Sequence, residues 1–209
     1  MRQRPDTGLA SPATRRSDNP LPGALRSAVR RLRSPQLLAL LLCLIGFGLR
    51  AYRLDNKNLW YDEGFSVFMA RQTLSALPIE TARDVHPPLY FAILHGWRAL
   101  AGESAFALRF PSAVAGTLTL ALAYRVLRRH VDARAGLVAM ALLAVHRPSI
   151  WYSQEVRMYA LAMLLAVAAL AAMLAYLRDG RWRALVAYIV LCSAGLHTLY
   201  LFVLAPAAL

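Results

Sequence analysis

Long apolar runs separated by short basic stretches dominate the hydrophobic pattern of this chain. Five runs approach or reach the roughly 17–25 apolar residues that a helix needs to cross a bilayer. They cover residues 36–52, 106–127, 135–151, 158–177 and 184–204. The pattern therefore predicts an all-α fold, a polytopic transmembrane helical bundle of about five spans.

Composition supports a membrane protein and excludes one alternative. Of 209 residues, 58% are hydrophobic and 17% are charged, whereas soluble domains are about half apolar and about a quarter charged. The net charge of +13 would suggest nucleic acid in a soluble protein. Because the basic residues lie in the amino-terminal tail and in short connections between apolar runs, we exclude nucleic acid as a partner.

The distribution of arginine predicts the topology. Residues 1–34 form a basic segment with several prolines and few apolar side chains, which predicts a disordered cytoplasmic tail. Two further basic connections are expected on the same side by the positive-inside rule. They contain Arg125, Arg128, Arg129 and Arg134, and Arg178, Arg181 and Arg183. Residues 35–209 then form the membrane domain, with outer loops at about 53–105 and 152–157.

The first outer loop carries two amphipathic segments. In residues 64–77 and 87–101, apolar side chains recur on one helical face and polar side chains lie on another. The second segment is too short to span a bilayer and contains His95 and Arg98. We therefore predict two interfacial helices. Arg50 and Arg53, at the end of the first span, are expected to snorkel to the headgroups.

Two adjacent acids, Asp62 and Glu63, follow the first span and stand beside Trp60 and Tyr61. One interpretation makes Asp62 the N-cap of the next helix, with Glu63 favourable in its first turn. The other makes them catalytic groups, since acids at headgroup depth are well placed to act on a lipid headgroup. The spacing alone leaves both interpretations open.

Other ionisable residues lie near the predicted outer surface. Glu155 and Arg157 in the second outer loop either pair with each other or leave Arg157 free to bind a phosphate. Arg109 lies just inside the second span, where snorkelling and a functional role are both consistent with the sequence. His86 precedes two prolines and is a weak candidate for contact with a phosphate or a metal.

Four stretches resemble, in order and spacing, one family of membrane enzymes. They read LWYDE, DVHPPLYF, LRFPSAVAG and YSQEVRMYAL. They are similar to the amino-terminal part of the protein O-mannosyltransferase-like glycosyltransferases, a group of the C-type superfamily that includes the aminoarabinose transferases. The resemblance covers about residues 36–204. It implies an enzyme that moves a sugar from a polyprenyl-phosphate carrier to an acceptor hydroxyl on a protein, lipid or glycan.

The resemblance also implies roles for individual residues. Asp62 matches the general base that takes the proton of the acceptor hydroxyl, and Glu63 matches the acid that follows it. The implied substrate-binding residues are His86, Arg109, Glu155, Arg157 and Tyr159. No cofactor is certain. A divalent cation is left open, with His86 and Glu155 as weak candidate ligands.

The implied location is the bacterial inner membrane, with the chain crossing several times, the amino terminus cytoplasmic and the active site on the outer face. Members of the group are longer, so we expect this sequence to be an amino-terminal part. Two other functions are compatible with the sequence. A non-catalytic or truncated subunit that binds polyprenyl lipid is the alternative, and a small transporter ranks last because the spans carry few polar side chains.

Overall fold

The structure, a computed structural model, describes residues 34–207. Within this range the chain forms ten α-helices and one 3-10 helix, and no β-strand. The predicted all-α class is therefore confirmed. The predicted basic tail lies outside the described residues except for Ser34, whose hydroxyl caps the first helix by accepting from Leu37 N at 3.3 Å.

The helices follow one another with short connections. They are α1 (Pro35–Ala51), α2 (Tyr61–Arg71), α3 (Leu77–Thr81), α4 (Leu89–Ala101), α5 (Ala105–His130), α6 (Ala133–Val145), α7 (Arg147–Ser153), α8 (Tyr159–Asp179), α9 (Trp182–Leu196), the 3-10 helix Tyr200–Val203, and α10 (Leu204–Ala207). The bundle is built from α1, α5, α6, α8 and α9, which pack against one another along the chain.

Five apolar helices thus occupy the positions of the five predicted spans. In the part of the chain that the structure describes, two of them are long and apolar enough to cross a membrane: α5 with 26 residues and α8 with 21. The other three, α1, α6 and α9, are shorter apolar helices of 17, 13 and 15 residues. The helical membrane bundle is therefore confirmed, and the number of spans stays a prediction.

The third predicted span, 135–151, is not one continuous helix. Pro148 has no N–H to donate to Ala144 O, so the helix ends at Val145 and restarts as α7. Arg50 supplies the missing donors: its guanidinium donates to Ala144 O at 3.3 Å and to Leu143 O at 3.1 Å. The prediction that Arg50 snorkels to the headgroups is therefore wrong, because its side chain is fully buried at this break.

The fifth predicted span, 184–204, also ends early. Helix α9 stops at Leu196, and the side chains of His197 and Thr198 bond back to the carbonyls of Ser193 and Ala194 at 2.8 Å each. Such side-chain bonds satisfy the last carbonyls of a helix and allow the chain to turn. The following 3-10 helix then folds back so that Phe202 packs on α9.

The first outer loop contains three helices rather than the two predicted. Helix α2 ends at Arg71, short of the predicted end at residue 77, and the additional helix α3 starts at that residue and continues into the segment predicted to connect the two. The apolar face of α2 packs on α4 instead of facing outward, with Val67, Ala70, Phe91 and Leu94 in one buried cluster that also contains Val156 from the second outer loop. The two predicted outer loops therefore share a hydrophobic core.

Close packing of α1, α5 and α7 depends on Gly116. A Cβ atom built there would lie 2.0 Å from Ser153 Oγ and 3.0 Å from Arg50 Nε. We expect Gly116→Ala to lower the free energy of unfolding by about 1–3 kcal/mol, because overpacking forces neighbours to shift. The control is Gly48→Ala, where no heavy atom lies within 4 Å of the added methyl group. Thermal unfolding in detergent compares the two, and equal stability would contradict the packing role.

Candidate functional site

The two predicted outer loops meet at one end of the bundle. Glu63 in α2 accepts a hydrogen bond from Val156 N at 2.9 Å, which joins the loops across 93 residues of sequence. The two arginine-rich connections meet at a second place, where Arg129 pairs with Asp179 at 3.4 Å. The side of the membrane on which these connections lie stays a prediction of the arginine pattern.

A buried ion pair between Glu63 and Arg109 lies beneath the contact between the two loops. Glu63 Oε1 and Oε2 accept from Arg109 Nε and Nη2 at 2.8 and 2.6 Å. Oε2 also accepts from Trp60 N at 3.3 Å. Both side chains are almost fully buried. Arg109 therefore does not snorkel, and the Glu63 carboxylate is held by α5, by the start of α2 and by the second outer loop.

Arg109 also shapes the segment between α1 and α2. Its guanidinium donates to Leu54 O at 2.6 Å, to Lys57 O at 3.0 Å and to Asn58 O at 3.2 Å. Three backbone carbonyls of the segment face inward and surround this one cation. The polar side chains of the segment face outward. Leu54 is buried beneath it.

Asp62 is placed differently from its neighbour Glu63. Trp60 occupies the N-cap position of α2, and Glu63 bonds back to its backbone, so the N-cap interpretation of Asp62 is wrong while the favourable first-turn position of Glu63 is confirmed. The Asp62 side chain keeps 39% of its surface exposed, and its Oδ2 lies 3.9 Å from Arg157 Nη2. Asp62 thus combines solvent access with a cationic neighbour.

Arg157 is held between Asp62 and a histidine. Its Nη1 donates to Asp62 O at 3.4 Å, and Nη2 lies 3.0 Å from His86 Nε2. Since a guanidinium only donates, His86 Nε2 accepts and His86 Nδ1 carries the proton toward Asp84 Oδ2, 2.8 Å away. Although burial opposes the charged form, the hydrogen bond from His86 lowers the pKa of Asp84. Glu155 and Arg157 do not pair with each other, and Arg157 is only 4% exposed.

Glu155 lies in the second outer loop, one residue before the Val156 N–H that donates to Glu63. Burial raises the pKa of its carboxyl above the ordinary value, the Glu63 carboxylate adds to this rise, and a hydrogen bond with Trp151 and the charge of Arg157 oppose it. The Tyr159 and Tyr152 rings are in contact in a tilted arrangement, with ring centres 4.8 Å apart and an angle of 55° between the ring planes. The site thus combines Asp62, a partly exposed carboxylate, with Glu155, a carboxyl whose pKa is raised by burial.

A cavity of about 700 Å³ opens between the loops. Its volume is in the range of ordinary ligand sites. Asp62, Glu63, Arg109, Glu155 and Tyr159 all line it, whereas His86 and Arg157 stand behind Asp62. Aromatic, amide and basic side chains complete the wall; these are Tyr52, Arg53, Asn56, Lys57, Asn58, Trp60, Trp151, Tyr152 and Gln154, together with Leu54.

The residues predicted as weak metal ligands do not form a metal site. Among residues 34–207, no group of three or more His, Cys, Asp or Glu side chains is placed to hold an ion. Both ring nitrogens of His86 are engaged, one with Asp84 and one with Arg157. His86 therefore fits the support of Arg157 better than the coordination of a cation.

Gln154 anchors the second outer loop to the end of α1. Its amide donates to Leu49 O, Arg50 O and Tyr52 O at 3.1, 3.3 and 3.1 Å. These are carbonyls at a helix C-terminus, which have no partner within the helix. Because the next residues along the chain include Glu155, this anchor fixes one wall of the cavity.

We expect Gln154→Leu to lower the free energy of unfolding by about 1–2 kcal/mol, since it leaves these carbonyls without their donor. The matched control is Gln72→Leu, whose exposed amide makes one long bond, 3.5 Å, to Phe68 O in its own helix. Thermal unfolding of both variants in the same detergent is the measurement. If Gln72→Leu destabilised as much as Gln154→Leu, the anchoring role would be refuted.

Sequence reasoning did not find several residues of this site. Arg53 and Lys57 line the cavity, but their positions depend on the fold of the segment around Arg109. Arg50 and Gln154 were also missed as structural anchors. An arginine within an apolar run was a usable signal for Arg50, because a charge there needs partners. No local pattern marks the others.

Comparison with known proteins gives one match. The family model described as dolichyl-phosphate-mannose-protein mannosyltransferase matches residues 85–209. This range includes His86, Arg109, Glu155 and Arg157, and it begins after Asp62 and Glu63. No curated protein and no solved structure matches the chain.

Proposed function

Because this chain belongs to the dolichyl-phosphate-mannose-protein mannosyltransferase family, we propose that it transfers a sugar from a polyprenyl-phosphate carrier to an acceptor hydroxyl, with Asp62 as the general base. Family membership makes the chain a membrane glycosyltransferase of the C type, with a lipid-linked sugar donor and an acceptor as its substrates. The identity of the carrier as a polyprenyl phosphate, the role of Asp62 as the base and the side of the membrane on which transfer occurs are proposed here.

The observation that carries the proposal is the setting of Asp62. A general base must reach the hydroxyl whose proton it takes. Asp62 lines the cavity, keeps part of its surface exposed, and has the Arg157 guanidinium 3.9 Å away to orient it. Glu63 has the opposite setting, because its oxygens are buried and fully engaged, so we assign it the role of holding the site together.

The reaction follows from these positions. Asp62 accepts the proton of the acceptor hydroxyl as the oxygen attacks the anomeric carbon of the donor sugar. The bond between that carbon and the phosphate oxygen breaks, and the electron pair leaves with the phosphate. Glu155, with its raised pKa, is suited to hydrogen-bond sugar hydroxyls, and Tyr159 offers an aromatic face for the same ring. Arg157, backed by His86, positions Asp62.

The proposed location of the reaction is the outer face of the bacterial inner membrane. The proposed active site lies between the two outer loops. The arginine-rich connections do not line the cavity and meet each other where Arg129 pairs with Asp179. If those connections are cytoplasmic, as the positive-inside rule predicts, the cavity opens to the outside. A carrier lipid then reaches the site from within the bilayer.

Turnover of lipid-linked sugars by the purified protein tests the proposal. The 209-residue chain in nanodiscs is incubated with polyprenyl-phosphate mannose, or with the same carrier bearing other sugars, and with a threonine peptide or a glycolipid as acceptor. We expect release of polyprenyl phosphate together with a glycosylated acceptor, and none from a nucleotide sugar. Binding of the carrier without release from any of these donors would contradict the proposal and support the non-catalytic lipid-binding alternative.

A further inference from the structure

We propose that Arg53 and Lys57, on the segment between α1 and α2, bind the phosphate group of the lipid-linked donor at the rim of the cavity. This inference rests on the proposed function and adds to it the cations that meet the leaving phosphate.

Arg109 and Arg157 both lie deeper than the cavity rim. Arg109 donates to the Glu63 carboxylate and to three backbone carbonyls. Arg157 faces Asp62 and His86, its buried Nε has no hydrogen-bond partner in the described part of the chain, and it is not part of the cavity wall. Both side chains are at most 5% exposed. A phosphate that bound Arg109 would have to break its contacts, and one that bound Arg157 would have to lie outside the cavity.

Arg53 and Lys57 are in the opposite situation. Both are exposed and both line the cavity. Within residues 34–207, neither forms an ion pair with a carboxylate. The Lys57 ammonium lies 5.4 Å from the centre of the Trp151 ring, and the Arg53 guanidinium lies 5.9 Å from that of Tyr52. Their charges therefore remain available to an anion.

The backbone holds these two side chains in place. Arg53 has a φ of 57°, in the left-handed region that non-glycine residues rarely adopt and that persists only where the surroundings enforce it. The Arg109 guanidinium fixes the next turn through Leu54 O and Lys57 O. A buried arginine thus presents an arginine and a lysine at the cavity rim, next to the end of α1.

The groups that line the cavity fit a sugar phosphate. Arg53 and Lys57 provide positive charge, and Asp62 and Glu155 provide acidic groups for the acceptor and the sugar, in the lining of the same cavity. As the bond between the anomeric carbon and the phosphate oxygen breaks, negative charge develops on the phosphate, and nearby cations stabilise it. Placement of the phosphate at the rim also directs the polyprenyl chain out of the cavity.

Equilibrium binding of polyprenyl phosphate to the 209-residue chain in zwitterionic nanodiscs tests the inference. Polyprenol of the same chain length is the phosphate-free probe. We expect the double variant R53Q/K57Q to bind polyprenyl phosphate at least about tenfold more weakly, because it loses charge-assisted hydrogen bonds. Its binding of polyprenol should not change. The charge-preserving variant R53K/K57R should retain most of the affinity and shows that the site is still folded.

The matched control is R181Q/R183Q, which removes two exposed arginines, one just before α9 and one in its first turn. It should bind polyprenyl phosphate as the wild type does. An unchanged affinity of R53Q/K57Q, or an equal loss in R181Q/R183Q, would overturn the inference and leave the proposed function standing. Failure of the wild type itself to bind polyprenyl phosphate would overturn the proposed function, and the inference with it.

Discussion

Replacement of Glu63 by glutamine is expected to lower the free energy of unfolding by about 3–5 kcal/mol, because it leaves Arg109 as an uncompensated buried charge. The amide keeps the size of the carboxylate but brings N–H groups against donors. Four donor atoms converge on Glu63, from Arg109, Trp60 and Val156. The loss therefore affects both outer loops as well as the pair itself. Thermal unfolding in detergent measures it.

Glu103→Gln is the matched control for this prediction. Glu103 accepts from Arg71 and Arg98 in the same outer loop, but this cluster is exposed. Exposed ion pairs are screened by solvent and contribute little, so a much smaller change is expected. Equal destabilisation by Glu63→Gln and Glu103→Gln would show that the buried pair is not the structural base of the site.

Asp62→Asn is expected to reduce the rate of sugar transfer by roughly 10²–10⁴-fold, the usual contribution of a general base. The substitution preserves size, and Asp62 is partly exposed, so the folded structure and the binding of polyprenyl phosphate should be retained. Loss of transfer with retained binding separates a role in the chemical step from a role in folding. The measurement is the initial rate of polyprenyl phosphate release at saturating donor.

Asp55→Asn provides the comparison for Asp62→Asn. Asp55 is an exposed carboxylate seven residues earlier in the same loop, and it does not line the cavity. Its replacement should leave the rate within about twofold of the wild type, as expected for a surface change outside the site. A fully active Asp62→Asn protein would remove Asp62 from the mechanism.

The sequence was sufficient to locate the apolar helices, with errors at their ends, because long apolar runs mark them directly. The contact between the two predicted outer loops, through Glu63 and Val156, is a finding of the structure. The side of the membrane on which each connection lies stays a prediction of the arginine pattern.

The helix breaks were harder to predict, because an apolar run does not show whether one continuous helix or two shorter helices will cover it. Pro148 was a visible signal for the end of α6, yet the surrounding residues are as apolar as a span. What makes the break stable is Arg50, 94 residues from Ala144 in sequence. A similar case occurs in α5, where Pro111 cannot donate to Ala107 O and the Trp97 indole does so instead at 2.7 Å.

The division of roles between adjacent acids also lay beyond the sequence. Asp62 and Glu63 have the same chemistry and neighbouring positions, so only the fold decides which is buried. Glu63 points to α5 and meets Arg109, 46 residues away, while Asp62 points to the cavity. Long-range pairs of this kind produce no periodic pattern in the local sequence. The exposure of Arg53 and Lys57 to a ligand depends on the same Arg109, which folds the segment that carries them.

Photo-crosslinking of a donor analogue tests most directly the central claim, that the cavity between the outer loops is where the lipid-linked sugar reacts. A polyprenyl-phosphate sugar with a diazirine on the sugar is irradiated with the wild-type chain, and the labelled peptides are identified by mass spectrometry. We predict labels within residues 52–62 and 151–159, and their loss in the presence of excess unlabelled donor. Labels confined to the arginine-rich connections at 128–134 and 178–183, or labels that excess donor does not displace, would contradict the account.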